Sequence, residues 1–177
     1  MNNHQIDLRS IELIGRILDI GGGGEGIISR HAGERVIAID RLKEELEESP
    51  DIGTKIVMDA TDMKFLDNTF DNATCFYSLM FMNEKTVEKC LTEAYRVLKP
   101  GGFLWIWDTE IPDHVAEDIY VVQLGVTLAK EEISTGYGIR WNRGQSADYL
   151  SNICTKIGFG QAKCDSSDEK IFMRIQK

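Results

Sequence analysis

A run of glycines following an apolar segment is the feature that most constrains the fold of this chain. The run comprises Gly21, Gly22, Gly23, Gly24 and Gly26, and residues 16–20 before it have the apolar character of a buried strand. Glycine allows a strand to turn sharply into a helix and lets the backbone approach a ligand without Cβ contacts. Since Gly21, Gly23 and Gly26 match the spacing G-x-G-x-x-G, the sequence predicts a nucleotide-binding turn.

The identity of the nucleotide depends on acidic residues around the glycine run. Asp40 ends the next apolar segment, where an acid accepts hydrogen bonds from ribose hydroxyls in both NAD and S-adenosylmethionine sites. Asp19 lies two residues before Gly21, where a carboxylate would repel a pyrophosphate but would suit a sulfonium. Asp59 and Ala60 follow the third apolar segment and can meet an adenine edge. These features favour S-adenosylmethionine.

Short apolar segments alternate with amphipathic ones along most of the chain, the pattern of βαβ units around a parallel sheet. The predicted strands of this sheet are residues 16–20, 36–40, 55–59, 72–79 and 103–108, and the predicted helices are 25–31, 42–48, 83–98 and 146–157. We therefore predict an α/β fold with a doubly wound, Rossmann-like and mostly parallel sheet.

Residues 109–144 do not show the spacing of the helix expected after the fifth strand. Residues 119–128 and 133–141 suit the two strands of a hairpin, so we predict a β-hairpin-like insertion after strand 5. Variable loops on a rigid scaffold usually carry specificity, which makes this insertion the candidate substrate-recognition region. Residues 161–165 and 171–175 then suit a closing antiparallel pair.

Length and composition exclude several function classes. A chain of 177 residues fits one domain, 1–177, and a net charge of −9 argues against a nucleic-acid partner. The four cysteines and three histidines show no metal-ligand spacing, so no metal is expected. With no long apolar run and no basic or apolar leader, the sequence predicts a cytoplasmic protein without a membrane partner, and a homo-oligomer is compatible with it.

An ordered set of motifs resembles one family. The set comprises residues 17–26, 36–40, 57–60 (Val-Met-Asp-Ala), 67–71 (Asp-Asn-Thr-Phe-Asp), 95–102 (Tyr-Arg-Val-Leu-Lys-Pro-Gly-Gly) and Gly158-Phe159. It resembles the class I S-adenosylmethionine-dependent methyltransferases, with closest similarity to the methyltransferase type 11 group. The resemblance covers residues 14–108 well and 145–177 loosely, and implies the seven-stranded sheet of that family.

The resemblance also implies roles for individual residues. The implied cofactor-binding residues are Asp19, Gly21, Gly22, Gly23 and Gly26 at the methionine part, Asp40 and Arg41 at the ribose, Asp59 and Ala60 at the adenine, and Phe76 at the sulfonium. The chain departs from the family at Glu25, which stands where the last glycine of D-x-G-x-G-x-G is common. It also leaves little sequence for the N-terminal lid helices frequent in the family.

The candidate residues for chemistry follow the predicted fourth and fifth strands. Methyl transfer is an in-line displacement from an activated donor, so acid–base catalysis is optional. If the acceptor must lose a proton, the candidates for the general base that accepts it are Tyr77, Asp108 and His114. Tyr77, together with Tyr137, Arg140 and Trp141 of the insertion, could contact the acceptor.

The predicted function is methyl transfer from S-adenosylmethionine, with S-adenosylhomocysteine as product, to a small-molecule acceptor. Two alternatives stay open at the level of sequence. One is a non-catalytic, regulatory protein that binds S-adenosylmethionine. The other is an NAD-dependent oxidoreductase, which the G-x-G-x-x-G spacing allows.

Overall fold

A computed structural model describes residues 2–113, 119–140, 143–165, 167 and 169–177. Two of the candidate residues, His114 and Trp141, lie outside the described residues. The strands are β1 (Asn2–Asp7), β2 (Ile17–Ile20), β3 (Val36–Asp40), β4 (Thr54–Val57), β5 (Phe70–Phe76), β6 (Leu98–Thr109), β7 (Ile119–Thr127), β8 (Glu132–Arg140), β9 (Lys163–Asp165) and β10 (Lys170–Gln176). The α-helices are α1 (Ile27–Ala32), α2 (Lys43–Glu48), α3 (Glu84–Val97) and α4 (Ala147–Ile157).

The main sheet has seven strands in the order β4-β3-β2-β5-β6-β10-β9. The five strands from β4 to β6 are mutually parallel, whereas β10 runs antiparallel to β6 and to β9. The strand order reverses direction at β2, so β2 and β5 lie side by side at the centre of the sheet. The predicted doubly wound, mostly parallel sheet with a closing antiparallel pair is confirmed.

Alternate residues of β6 show how the two faces of the sheet are covered. Leu104 and Ile106 pack with buried residues of α3 and α4 on one face. Trp105 and Trp107 face the other side, where α1, α2 and a second sheet supply the apolar contacts. Since both faces are covered, the central part of the strand is apolar on both sides, as residues 103–107 of β6 are.

The second sheet has three strands in the order β1-β7-β8. β7 and β8 form the predicted hairpin, with Ile119 opposite Arg140 and Thr127 opposite Glu132. The third strand, β1, pairs in parallel with β7 and was not predicted from the sequence. Its composition is polar, but His4 and Leu8 are buried while Asn3 and Asp7 are exposed, an alternation with period two. This sheet packs on the face of the main sheet that carries Trp105 and Trp107.

Several predicted boundaries differ from the structure, among them the start of β6 at Leu98 rather than residue 103, and two of the differences have a backbone cause. α1 begins at Ile27 rather than Glu25 because Gly26 adopts a left-handed conformation with φ 59°. β5 ends at Phe76 rather than Leu79 because Tyr77 also has a positive φ, of 50°. Left-handed backbone is rare for a residue with a large side chain and usually persists only at functional sites.

Candidate active site

A cavity of about 740 Å³ opens at the carboxyl ends of β2, β3, β4 and β5. In doubly wound sheets this edge, next to the point where the strand order reverses, is where ligands bind. Most of the predicted cofactor residues line the cavity, namely Asp19, Gly21, Gly22, Gly23, Asp40, Arg41, Asp59, Ala60 and Phe76. The structure therefore brings residues from four separate strands to one place.

The glycine run packs tightly against neighbouring strands while it lines the cavity. The N–H groups of Gly21 and Gly22 both donate to the carbonyl of Ile39 on β3, at 2.8 and 3.1 Å. Gly21 has φ 75°, and a Cβ on it would lie 2.5 Å from the Cβ of Ser78. Gly26 is placed differently: it does not line the cavity and is turned toward Pro50. Its role is thus to begin α1.

Asp19 is a buried carboxyl group on the cavity wall, 2% exposed. Thr74 Oγ1 donates a 2.7 Å hydrogen bond to Asp19 Oδ1. Burial raises the pKa of Asp19 from 3.8 to about 7, since the hydrogen bond from Thr74 only partly offsets the desolvation and Asp40 adds a like charge. The ionised form of Asp19 is therefore unfavourable until a cationic group enters the cavity.

Asp40 and Asp59 line the cavity at the ends of β3 and β4. The N–H of Leu42 donates to Asp40 Oδ1 at 2.9 Å. The backbone N–H and the hydroxyl of Thr61 both donate to Asp59 Oδ1 at 2.8 Å, and these bonds lower the pKa of Asp59. The chain thus fixes the orientation of both carboxyl groups with local hydrogen bonds.

Aromatic side chains form the opposite end of the cavity: Phe76, Tyr77, Phe81 and Tyr137. The ring of Tyr137 lies 6.2 Å from that of Tyr77 and 6.1 Å from that of Phe81. Tyr77 is 2% exposed, and its Oη lies 2.8 Å from His4 Nδ1 of β1. Tyr77 and Tyr137 were predicted from the sequence, but His4 and Phe81 were not. His4 lies in a polar segment and Phe81 ends a short apolar run, and neither pattern indicates a site.

Glu25 connects the glycine run to the second sheet. The hydroxyls of Thr135 and Tyr137, both on β8, donate to the two carboxylate oxygens of Glu25, the latter at 2.8 Å. A salt bridge of 3.1 Å between Arg30 of α1 and Glu131 joins the same two parts of the chain. The residue that departs from the family pattern therefore holds the aromatic wall beside the cofactor loop.

Two candidates from the sequence do not line the cavity. Asp108 is fully buried behind the wall, where it accepts hydrogen bonds from Leu79 N, Thr109 N and Gln145 Nε2 at 3.1, 2.8 and 2.9 Å. Burial raises its pKa to about 6. Arg140 is exposed at the end of β8, so the structure does not place it with Tyr137 in a clamp.

Arg143, which the sequence analysis missed, holds the loop that carries Phe81. It is 7% exposed, and its guanidinium donates to the carbonyls of Leu79 and Met82, each at 2.9 Å. Its Nη2 also donates to Gln145 Oε1 at 2.7 Å. Arg143 and Gln145 therefore connect the loop after β5 to the buried Asp108.

The sheet order, the reversal at β2 and the cavity define a doubly wound nucleotide-binding protein. The model of the methyltransferase domain family matches residues 18–106, half of the chain. The chain belongs to this family, among the class I S-adenosylmethionine-dependent methyltransferases.

Two curated relatives and one solved structure illustrate the similarity. The chain is 29% identical over 114 residues to the demethylmenaquinone methyltransferase of Bacteroides fragilis, covering 59% of this chain and 46% of the relative. It is 26% identical over 170 residues to the ubiquinone/menaquinone biosynthesis C-methyltransferase UbiE of Cereibacter sphaeroides, covering 84% of this chain and 67% of the relative. A crystal structure of an S-adenosylmethionine-dependent methyltransferase from Mesorhizobium loti has a TM-score of 0.68, 16% identity and 94% coverage of each chain, which shows the fold.

The chain spans about half the length of the first of these curated relatives. No helix in the described part of the chain has the length and apolar character that a membrane crossing requires.

Proposed function

We propose that this protein is a cytoplasmic enzyme that transfers the methyl group of S-adenosylmethionine to a small-molecule acceptor. The observation that carries the proposal is the division of one cavity into an acidic end and an aromatic end, with Asp19 and the glycine run beside both. The acidic end suits an adenosyl group and the aromatic end suits the acceptor.

The residues present fit S-adenosylmethionine better than a dinucleotide. The buried carboxyl group of Asp19, with a pKa raised to about 7, favours a ligand whose positive charge lies near the glycine run. A pyrophosphate would bring negative charge to the same place. Asp40 would accept hydrogen bonds from the ribose hydroxyls, and Asp59 with Ala60 would meet the adenine.

The cofactor supplies an already activated methyl group, so the tasks of the chain are to align the acceptor and to exclude water. Phe76 and Tyr77, both buried, provide a wall that excludes water. Burial raises the pKa of Tyr77, so its hydroxyl stays protonated at neutral pH and orients the acceptor by hydrogen bonding instead of acting as a base. The hydrogen bond with His4 fixes the direction of that hydroxyl.

Replacing Asp40 by Asn is expected to weaken binding of S-adenosylhomocysteine about 10- to 100-fold, because hydrogen bonds to a charged acceptor contribute about 1.5–3 kcal/mol. Isothermal titration calorimetry of the purified protein measures this directly. Glu44→Gln is the matched control, since Glu44 is an exposed acid on the adjoining helix that does not line the cavity. Failure of the unmodified protein to bind either S-adenosylmethionine or S-adenosylhomocysteine would refute the proposal.

Methyl transfer itself is tested with S-adenosylmethionine carrying a labelled methyl group and a panel of small acceptors. Appearance of label in one acceptor, and its loss with Asp40→Asn, supports the enzyme. Cofactor binding at full occupancy with no transfer to any acceptor would instead favour the non-catalytic binding protein.

A further inference from the structure

We propose that the acceptor carries an amine, cationic in solution, and that Glu25 together with the rings of Tyr137 and Phe81 recognises it. This inference rests on the proposed function, because it assigns a substrate class to the aromatic end of the same cavity. Three observations support it: the charge of the cavity wall, the environment of Glu25 and the arrangement of the aromatic rings.

The charged side chains that line the cavity are mostly acidic. They are Asp19, Glu25, Asp40, Glu45 and Asp59, and Arg41 is the single basic residue among the described lining residues. Arg41 follows Asp40 directly at the end of β3, on the predicted ribose side. An acceptor with a carboxylate or phosphate would therefore meet no cation at the aromatic end of the described wall, and would be repelled by Glu25.

Glu25 has hydrogen-bond donors but no ion-pair partner among the described residues. Its carboxylate accepts from the hydroxyls of Thr135 and Tyr137, which are neutral. The nearby Arg30 directs its guanidinium elsewhere, to the backbone oxygen of Glu25 at 2.8 Å and to the carboxylate of Glu131. The negative charge of Glu25 thus remains available to a ligand.

The ring geometry beside Glu25 is of the kind that binds cations. The rings of Tyr137 and Phe81 are nearly perpendicular, at 82° with centroids 6.1 Å apart, and the ring of Tyr77 is tilted by 32° from that of Tyr137 with centroids 6.2 Å apart. A cation over an aromatic face is stabilised by the electrons of the ring, and several rings at an angle can share one ammonium. Phe81 is 52% exposed, so the cavity remains accessible from this side.

The amine must be neutral to react. One proton passes from the ammonium to solvent water at the open side of the cavity. The nitrogen lone pair then forms a bond to the methyl carbon while the carbon–sulfur bond breaks and its electron pair stays on sulfur. The product is an N-methylammonium ion, so the positive charge moves from sulfur to nitrogen and atoms and electrons balance.

The test uses three probes of similar shape and different charge: 2-phenylethylamine, 2-phenylethanol and 3-phenylpropionate. Each is titrated into protein saturated with S-adenosylhomocysteine and followed by calorimetry. We expect the amine to bind at least about tenfold more tightly than the alcohol, and the carboxylate to show no saturable binding. Glu25→Gln should weaken binding of the amine about tenfold and change the affinity for the alcohol by no more than about twofold.

Glu132→Gln is the matched control, because Glu132 carries the same charge at the start of β8, is exposed and does not line the cavity. It should leave binding of all three probes unchanged. Equal binding of the three probes, preference for the alcohol or the carboxylate, no binding of any probe, or an effect of Glu25→Gln no larger than that of Glu132→Gln would overturn the inference. Binding of S-adenosylhomocysteine is measured first on each sample. If the unmodified protein does not bind it, the proposed function fails; if it binds normally, the probe titrations test the amine inference alone.

Discussion

Replacing Asp19 by Asn is expected to stabilise the cofactor-free protein while it weakens binding of S-adenosylmethionine about 100-fold. The pKa of Asp19 rises from 3.8 to about 7 on folding, which corresponds to a cost of about 4 kcal/mol for the ionised group above pH 7. An amide carries no charge and escapes most of this cost. If the substitution raises the free energy of unfolding by about 2–4 kcal/mol, the thermal midpoint of a chain of this size should rise by roughly 5–10 °C at pH 8.5.

The pH dependence of this difference follows from the direction of the pKa shift. Because folding raises the pKa of Asp19, its contribution to stability is fully present below the unfolded pKa and is lost as pH rises toward about 7. The advantage of Asp19→Asn should therefore be about twice as large at pH 8.5 as at pH 5.5. Differential scanning fluorimetry of both proteins at the two pH values measures it.

Asp51→Asn is the control for this prediction, since Asp51 has a fully exposed side chain and lies outside the cavity wall. Loss of affinity on Asp19→Asn should also be larger for S-adenosylmethionine than for S-adenosylhomocysteine, which lacks the sulfonium charge. A variant that is less stable than the unmodified protein at pH 8.5, or that binds both nucleosides normally, would contradict the assignment of Asp19 as the partner of a cation.

The cofactor end of the site could be predicted from sequence because its residues occupy strand ends. A strand that runs into glycines, as β2 does, and strands that end in acids, as β3 does at Asp40, have fixed positions relative to the sheet edge. Parallel pairing then brings these ends together without further information. Both Asp19 and Asp40 line the cavity for this reason.

The acceptor end could not be predicted to the same extent because it depends on contacts between distant segments. β1 pairs with β7 across more than a hundred residues, and the local signal in its polar sequence is weak. Alternation along β8 places Tyr137 and Arg140 on opposite faces, but which face meets the cavity depends on how the hairpin packs on the main sheet: Tyr137 lines the cavity and Arg140 is exposed. A tertiary hydrogen bond to Glu25, invisible in the local pattern, fixes Tyr137.

Arg143→Met is expected to destabilise the protein by about 3 kcal/mol and to lower its thermal midpoint by roughly 6–12 °C. Methionine keeps much of the side-chain volume but donates no hydrogen bond, so the buried carbonyls of Leu79 and Met82 and the side chain of Gln145 lose their donor. Burial raises the pKa of Asp108 and the positive charge of Arg143 partly offsets this effect, so removal of Arg143 makes the ionised form of Asp108 less favourable, although its three hydrogen bonds remain.

Arg140→Met provides the matched control for Arg143→Met, because Arg140 is exposed and stands only three residues earlier in the chain. A surface change of this kind should alter the unfolding free energy by no more than about 0.5 kcal/mol. The loop at residues 79–82 carries Phe81, so hydrogen exchange should quicken there in Arg143→Met and the protein should lose affinity for 2-phenylethylamine. If both variants unfold at the same temperature, the loop after β5 is held by its apolar contacts, and Arg143 does not support the aromatic wall.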